Sequence, residues 1–258
     1  MMMMRQITAI VVSLFISLPI HSFHLGMVAT TRRGRSANTN KIRPHCQLGS
    51  SLSETGESKN DAIASDLELL TRAAETKQED SDAVLEALLG LERNMKKKAK
   101  EDPSVAQDTL AALTGDWRLI FTTGTIDTQK RTGRINYFPI KAVQSFRTNV
   151  DPMLIENGIY VGDFCLVKFS GEMEFNLVNR KLEFDFDNIC LLQFLDVKLK
   201  KGEAAKIGSS TGLGSESNVQ NAKKGKKAFF NWISADANIA TARGGGGGIA
   251  LWKRNTVD

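Results

Sequence analysis

Beyond residue 50 this sequence contains no histidine. All three, His21, His24 and His45, fall before that point. Their absence from the body excludes Ser-His-Asp and Cys-His catalysis, histidine metal ligation, and any side chain that titrates unperturbed near neutrality. Cysteine is almost as scarce. Past Cys46 only Cys165 and Cys190 remain, at a separation that fits no metal site. They read either as two buried thiols packed as small hydrophobes or as one redox-sensitive disulfide. Neither a metal nor a cofactor is expected.

A net excess of charge is also missing from the body. Six of the 34 Lys and Arg lie in residues 1–50, which hold no Asp or Glu, so the rest of the chain carries 28 basic against 29 acidic side chains. That balance removes the basic patch on which nucleic-acid binding depends, and no nucleic-acid partner is expected.

Long apolar runs are absent too. "ITAIVVSLFISLPI", residues 7–20, has 14 residues, too few to cross a bilayer comfortably. With Arg5 before it and the small Ser22 behind it, residues 1–22 read as a signal peptide. Residues 23–50 are rich in Arg, Ser and Thr and free of acid, as in a disordered transit peptide. The two halves together resemble the bipartite plastid-targeting leaders of algae with secondary plastids, which implies a plastid location. Plain secretion and a retained anchor are the alternatives.

Residues 51–112 carry a helical period. Ile63, Leu67, Leu70 and Ala74 form one stripe, and Val84, Leu85, Leu88 and Met95 another. "KKKAK" at 96–100 places cations where they complement a helix C-terminus, and Asp102-Pro103 stops the helix. "SVAQDTLAAL" adds a further short helical piece before Gly115.

From Gly115 the period becomes two, the mark of strands with one buried face. Trp117, Leu119 and Phe121 share a face, as do Met173, Phe175 and Leu177, and again Leu182, Phe184 and Phe186, with "VNRK" a tight turn between the last two sets. Further strands are expected in "NYFPI", "AVQSFRTNV", "NGIYVG", "FCLVKF", "FLDVKLK", "AFFNWIS", "NIATA" and "IALWKR". So many short strands predict an up-and-down barrel or a sandwich. Residues 200–227, rich in Gly, Ser and Lys, predict a long disordered loop. Its seven lysines would solvate it or attract anionic headgroups.

Five consecutive glycines, Gly244 to Gly248, invite a phosphate reading that fails. No Lys-Ser/Thr follows them, as a P-loop requires, and too few residues remain for a dinucleotide-binding unit. A hairpin loop between "NIATA" and "IALWKR" is expected instead.

"LTGDWRLIFTTGT" at 113–125 and "SADANIATARGGGGGIALWKR" at 234–254, with the helices before them, resemble the plastid lipid-associated proteins, or plastid fibrillins. The likeness covers about 51–258 apart from the lysine-rich segment. It implies a lipocalin-like β-barrel at 113–258, preceded by a helical segment, with a motif formed by Gly115, Asp236, Arg243 and Gly244 closing the barrel. Trp117, Leu119, Phe121, Phe175, Phe184, Phe186 and Trp232 would then face the interior. An arginine is expected to lie across Trp117 as a cation–π lid, Arg243 first and Arg254 second.

The function this implies is binding or shielding of an apolar molecule, a carotenoid, prenylquinone or acyl lipid, at plastoglobules or thylakoids. No enzyme is expected. The alternatives are a coat protein of plastid lipid particles, in peripheral contact with a lipid-particle or thylakoid surface, and a pigment-modifying enzyme using Asp163, Asp185 or Asp187. Alternation in "EFDFDN" puts Glu183, Asp185 and Asp187 outside.

Overall fold

A computed structural model describes residues 54–210 and 216–255. The leader at 1–50 lies outside the described residues. Three helices come first: α1 (Glu54–Thr76), α2 (Ser81–Glu101) and α3 (Ser104–Leu113). Asp80 caps α2, its carboxylate accepting from the N–H groups of Asp82 and Ala83 at 2.9 and 3.0 Å. Lys98 and Lys100 occupy the last turn, and the extended backbone of Asp102 before Pro103 ends the helix. The expected stripes are the packed faces: Ile63, Leu70, Ala74, Val84, Leu88 and Met95 are buried, with Leu67 and Leu85 packed against them.

Eleven strands follow: β1 (Gly115–Thr122), β2 (Asn136–Tyr137), β3 (Lys141–Arg147), β4 (Leu154–Val161), β5 (Phe164–Asn176), β6 (Lys181–Phe184), β7 (Asn188–Leu191), β8 (Leu195–Lys198), β9 (Ala228–Ala235), β10 (Ile239–Gly244) and β11 (Ile249–Arg254). A short helix, α4 (Ile126–Thr132), separates β1 from β2, while α5 (Glu203–Ser210) and α6 (Glu216–Lys223) separate β8 from β9.

Eight of the strands, β1, β3, β4, β5, β6, β9, β10 and β11, form an antiparallel barrel. Each pairs with the next in chain order, and β11 pairs back onto β1. Closure removes the free edges that an open sheet would present. The long strand β5 changes neighbour along its length, pairing β7 over Val167–Ser170 and β6 over Met173–Asn176. β7 and β8 thus form a hairpin that extends the wall at one end.

Two hydrophobic clusters hold the molecule. One lies inside the barrel, where Trp117, Phe146, Ile155, Met173, Leu182 and Trp232 fill the end reached by Gly115 and Arg254. The other is outside. There α1 and α2 lay Leu70, Leu88 and Leu91 against Ile120, Phe121, Ile233, Ile239, Ile249 and Leu251 on the outer face of β1, β9, β10 and β11. Both faces of these strands are therefore buried.

Several sequence expectations are corrected. Phe121 does not share the inner face of Trp117 and Leu119, because a register shift between Leu119 and Phe121 gives β1 one extra residue. The bulge turns Phe121 outward onto the helices, edge-on to Tyr137 at 5.4 Å. Leu177 lies past the end of β5, 45% exposed in the turn to β6. "NYFPI" supplies only the two-residue β2, and residues 188–191 add a strand the alternation did not reveal.

Where a disordered 200–227 loop is expected, the chain forms α5 and α6. Ala204 and Val219 are buried, so the segment has an apolar side that its overall composition conceals. Cys165 and Cys190 are free and buried. Cys190 pairs across from Lys168, which leaves Cys165 roughly 10 Å further along β5, beyond disulfide reach.

Candidate functional site: the barrel cavity

The barrel is packed at one end and hollow at the other. Its floor is built around Trp117, which is fully buried and donates from its indole N–H to the Leu113 carbonyl at 2.8 Å. The lid across this indole is Arg254, with the guanidinium carbon 4.2 Å from the ring centroid. Arg254 also donates to the carbonyls of Ala112, Thr114 and Ala237 at 2.7, 2.9 and 2.8 Å. It thereby satisfies carbonyl groups left open where α3 ends. Gly115 is required beneath it. Its φ is +123°, and a Cβ there would stand 2.8 Å from the Arg254 Nη1.

Arg243 does something else. It faces outward, donating to Glu92 on α2 at 2.6 and 2.5 Å and to the Gly247 carbonyl at 2.8 Å. The Glu92 carboxylate holds the Arg243 proton more tightly than usual. Of the expected closing motif, Gly115 belongs to the floor. So does Asp236, whose side chain accepts from the Asn238 and Ile239 N–H groups at the turn into β10. Arg243 and Gly244 lie at the opposite end.

That opposite end is where β1 finishes and β11 begins. The glycine run there is a hairpin turn, as expected. Gly244 donates to the Gly248 carbonyl at 2.8 Å and Gly245 to the Phe229 carbonyl at 2.9 Å, so these N–H groups are committed within the protein. A Cβ on Gly248 would lie 2.3 Å from the Gly124 carbonyl oxygen, which is why this turn hugs the end of β1.

Behind the hairpin opens a cavity of about 340 Å³. Its wall is mainly aromatic and aliphatic, with Phe169, Phe184, Phe186, Phe229, Phe230 and Trp252 among the lining side chains. The rings form a chain from the floor upward: Trp232 to Trp252 at 5.5 Å, Trp252 to Phe230 at 5.9 Å, Phe230 to Phe184 at 5.3 Å, Phe184 to Phe186 at 5.1 Å. Polar side chains interrupt this wall, among them Thr122, Thr125 and Thr128 beside the glycine hairpin. Gln144 on β3 and Asn157 on β4 are cross-strand partners on the wall, and Lys201, Lys226, Lys227 and Asp185 line it from the segments around β6, α5 and α6. Lys227 is engaged with Glu174 at 2.6 Å.

The residues expected inside divide three ways. Leu119, Phe184 and Phe186 line the cavity. Trp117, Phe175 and Trp232 pack the floor beneath it. Phe121 is outside. The sequence reading missed Gln144, Asn157, Phe169, Phe230 and Trp252. Gln144 carried a usable signal, since it alternates in phase with Ala142 and Phe146 on an otherwise apolar face.

Of the three carboxylates considered for chemistry, Asp163 pairs with Lys141 on the surface and Asp187 is exposed. Asp185 instead contributes to the cavity lining, against the expectation that it faces water. Among the described residues no group of three His, Cys, Asp or Glu is placed to hold a metal ion, and no helix is long and apolar enough to cross a membrane. Burial pushes the thiols of Cys165 and Cys190 above their ordinary pKa, which suppresses the thiolate.

Comparison of the chain with protein-family models, curated proteins and solved structures finds no match. The class that the fold and site define is therefore the one the geometry gives, a closed antiparallel β-barrel with one hollow, aromatic-lined end.

Proposed function

We propose that this protein binds an apolar small molecule in the hollow end of its barrel. The observation that carries this reading is the cavity itself: about 340 Å³, walled by phenylalanine and tryptophan, above a floor that is fully packed. A pocket of this size and lining fits a small ligand whose affinity comes from apolar area removed from water. The resemblance of residues 113–125 and 234–254 to plastid lipid-associated proteins supports the same reading. It points to carotenoid, prenylquinone or acyl-lipid ligands in a plastid.

The test uses purified protein incubated with a plastid lipid and pigment extract, recovered by size exclusion, and analysed by mass spectrometry for retained small molecules. One molecular class is expected at close to one per chain. Ala142, which is 5% exposed and lines the cavity, allows a matched control. Ala142→Phe projects a ring into the cavity and takes up part of its volume without touching the floor, so retention is weakened while the melting temperature stays near that of the parent. Retention unchanged by Ala142→Phe sinks the cavity as the binding site.

A second reading places the function on a lipid surface, and one observation favours it. The β4–β5 and β7–β8 hairpin tips lie side by side, joined where Leu192 donates to the Leu166 carbonyl at 2.9 Å. They expose Val161 (60%), Phe164 (43%) and Phe194 (77%). These tips rim the same end as the cavity, so the two readings are compatible.

A further inference from the structure

We propose that the molecule held in the barrel carries a hydroxyl group, bound at Gln144 and Asn157, on an otherwise apolar body. This rests on the reading of the cavity as a binding site and names the chemistry of its occupant.

The inward positions of β3 are Ala142, Gln144 and Phe146. A leucine at the middle one would complete the apolar face. An amide stands there instead. Gln144 is 7% exposed, and its Oε1 is shut away from solvent and accepts from no protein donor. A buried acceptor without a partner costs free energy that a leucine would not, and such groups are rare enough in folded proteins to need a reason. A partner brought by a ligand is such a reason.

Asn157 strengthens the assignment. It lies directly across from Gln144 in the β3–β4 ladder and also lines the cavity, so two amides share one patch of wall. Oε1 is covered by protein as it stands, and the soft terminal amide torsion would let it rotate toward an occupant without any movement of β3.

The chemistry of the patch selects its partner. A hydroxyl donates one hydrogen bond and accepts others, so it gives its proton to Gln144 Oε1 while accepting from an amide NH2. A ketone or quinone oxygen only accepts: it could take the unpartnered indole N–H of Trp252 on the cavity wall, but it leaves Gln144 Oε1 unpaired. A hydrocarbon offers neither. A carboxylate needs a cation, and the cations lining this cavity, Lys201, Lys226 and Lys227, come from the chain around α5 and α6. Gln144 is instead paired across from Trp117 of the floor. The hydroxyl therefore sits deep, with the apolar body reaching past Phe184 and Phe230 toward the open end.

The test measures binding of 1-decanol, 2-decanone and decane to the full chain through tryptophan emission, since Trp252 lines the cavity. Each is repeated with Gln144→Leu, and with Gln144→Met as a second variant that keeps the side-chain length. Removing the amide is expected to lower the decanol-to-decane affinity ratio about tenfold. Decane binding holds or improves, 2-decanone follows decane, and the variants melt at or above the parent temperature. If all three bind the parent and the ratio is unmoved by either variant, or 2-decanone follows decanol, the hydroxyl assignment is wrong and the cavity reading stands. If none of the three binds the parent, the cavity reading itself fails and takes this inference with it.

Discussion

At the floor of the barrel Arg254 joins the end of α3 to the turn into β10 by donating to the carbonyls of Ala112, Thr114, Asp236 and Ala237. Arg243 joins α2 to the barrel through one two-pronged ion pair, with both side chains about 30% exposed. The two should differ in weight. Arg254→Met strands several carbonyls and removes the cation from Trp117, and is expected to cost about 2–3 kcal/mol. Arg243→Met loses a partly exposed pair, at about 1 kcal/mol. Urea unfolding monitored by circular dichroism measures both, and an equal cost would contradict the lid assignment. The sequence offered both arginines as lid candidates and ranked them wrongly. Alternation within β10 points Ala240 and Ala242 inward and so Arg243 outward, but that parity is fixed only once the strand's register is known.

Among the elements, α5 and α6 were the least legible. Lysine, glycine and serine dominate the segment, and such averages predict disorder. The sparse apolar residues find a face only when folded against the barrel. They contribute Ala204, Ala205 and Ala222 to the cavity lining, so these helices cover part of the cavity. Replacing residues 201–226 with a Gly-Ser linker of equal length should leave the barrel folded, since every barrel strand pair lies outside it. Ligand release should then accelerate several-fold, which stopped-flow displacement measures. An unchanged release rate would show that the helices do not gate the site. The strand elements were better encoded. Period-two patterning marked most of them and failed at β7, where four residues are too few to alternate convincingly. It failed again inside β1, where a bulge breaks phase after Leu119.

For the molecule as a whole, the exposed hairpin tips and the cavity share one end, so attachment by that end would bring the cavity to a lipid surface. Flotation with vesicles containing anionic lipid is expected to carry the parent protein and to lose Phe194→Ser, while that variant still binds ligand in solution. If Phe194→Ser floats as the parent does, the tips are not the attachment point.

The sequence by itself determined the helical segment with its two stripes, the change to strands at Gly115, the glycine hairpin and the absence of histidine chemistry. Each of these is a local property, written in periodicity, turn residues or composition. Only the tertiary structure decided which arginine covers Trp117, that Phe121 leaves the barrel, and that the void lies at one end with Gln144 and Asn157 on its wall. Those depend on register, bulges and closure, which bring residues far apart in sequence to the same place.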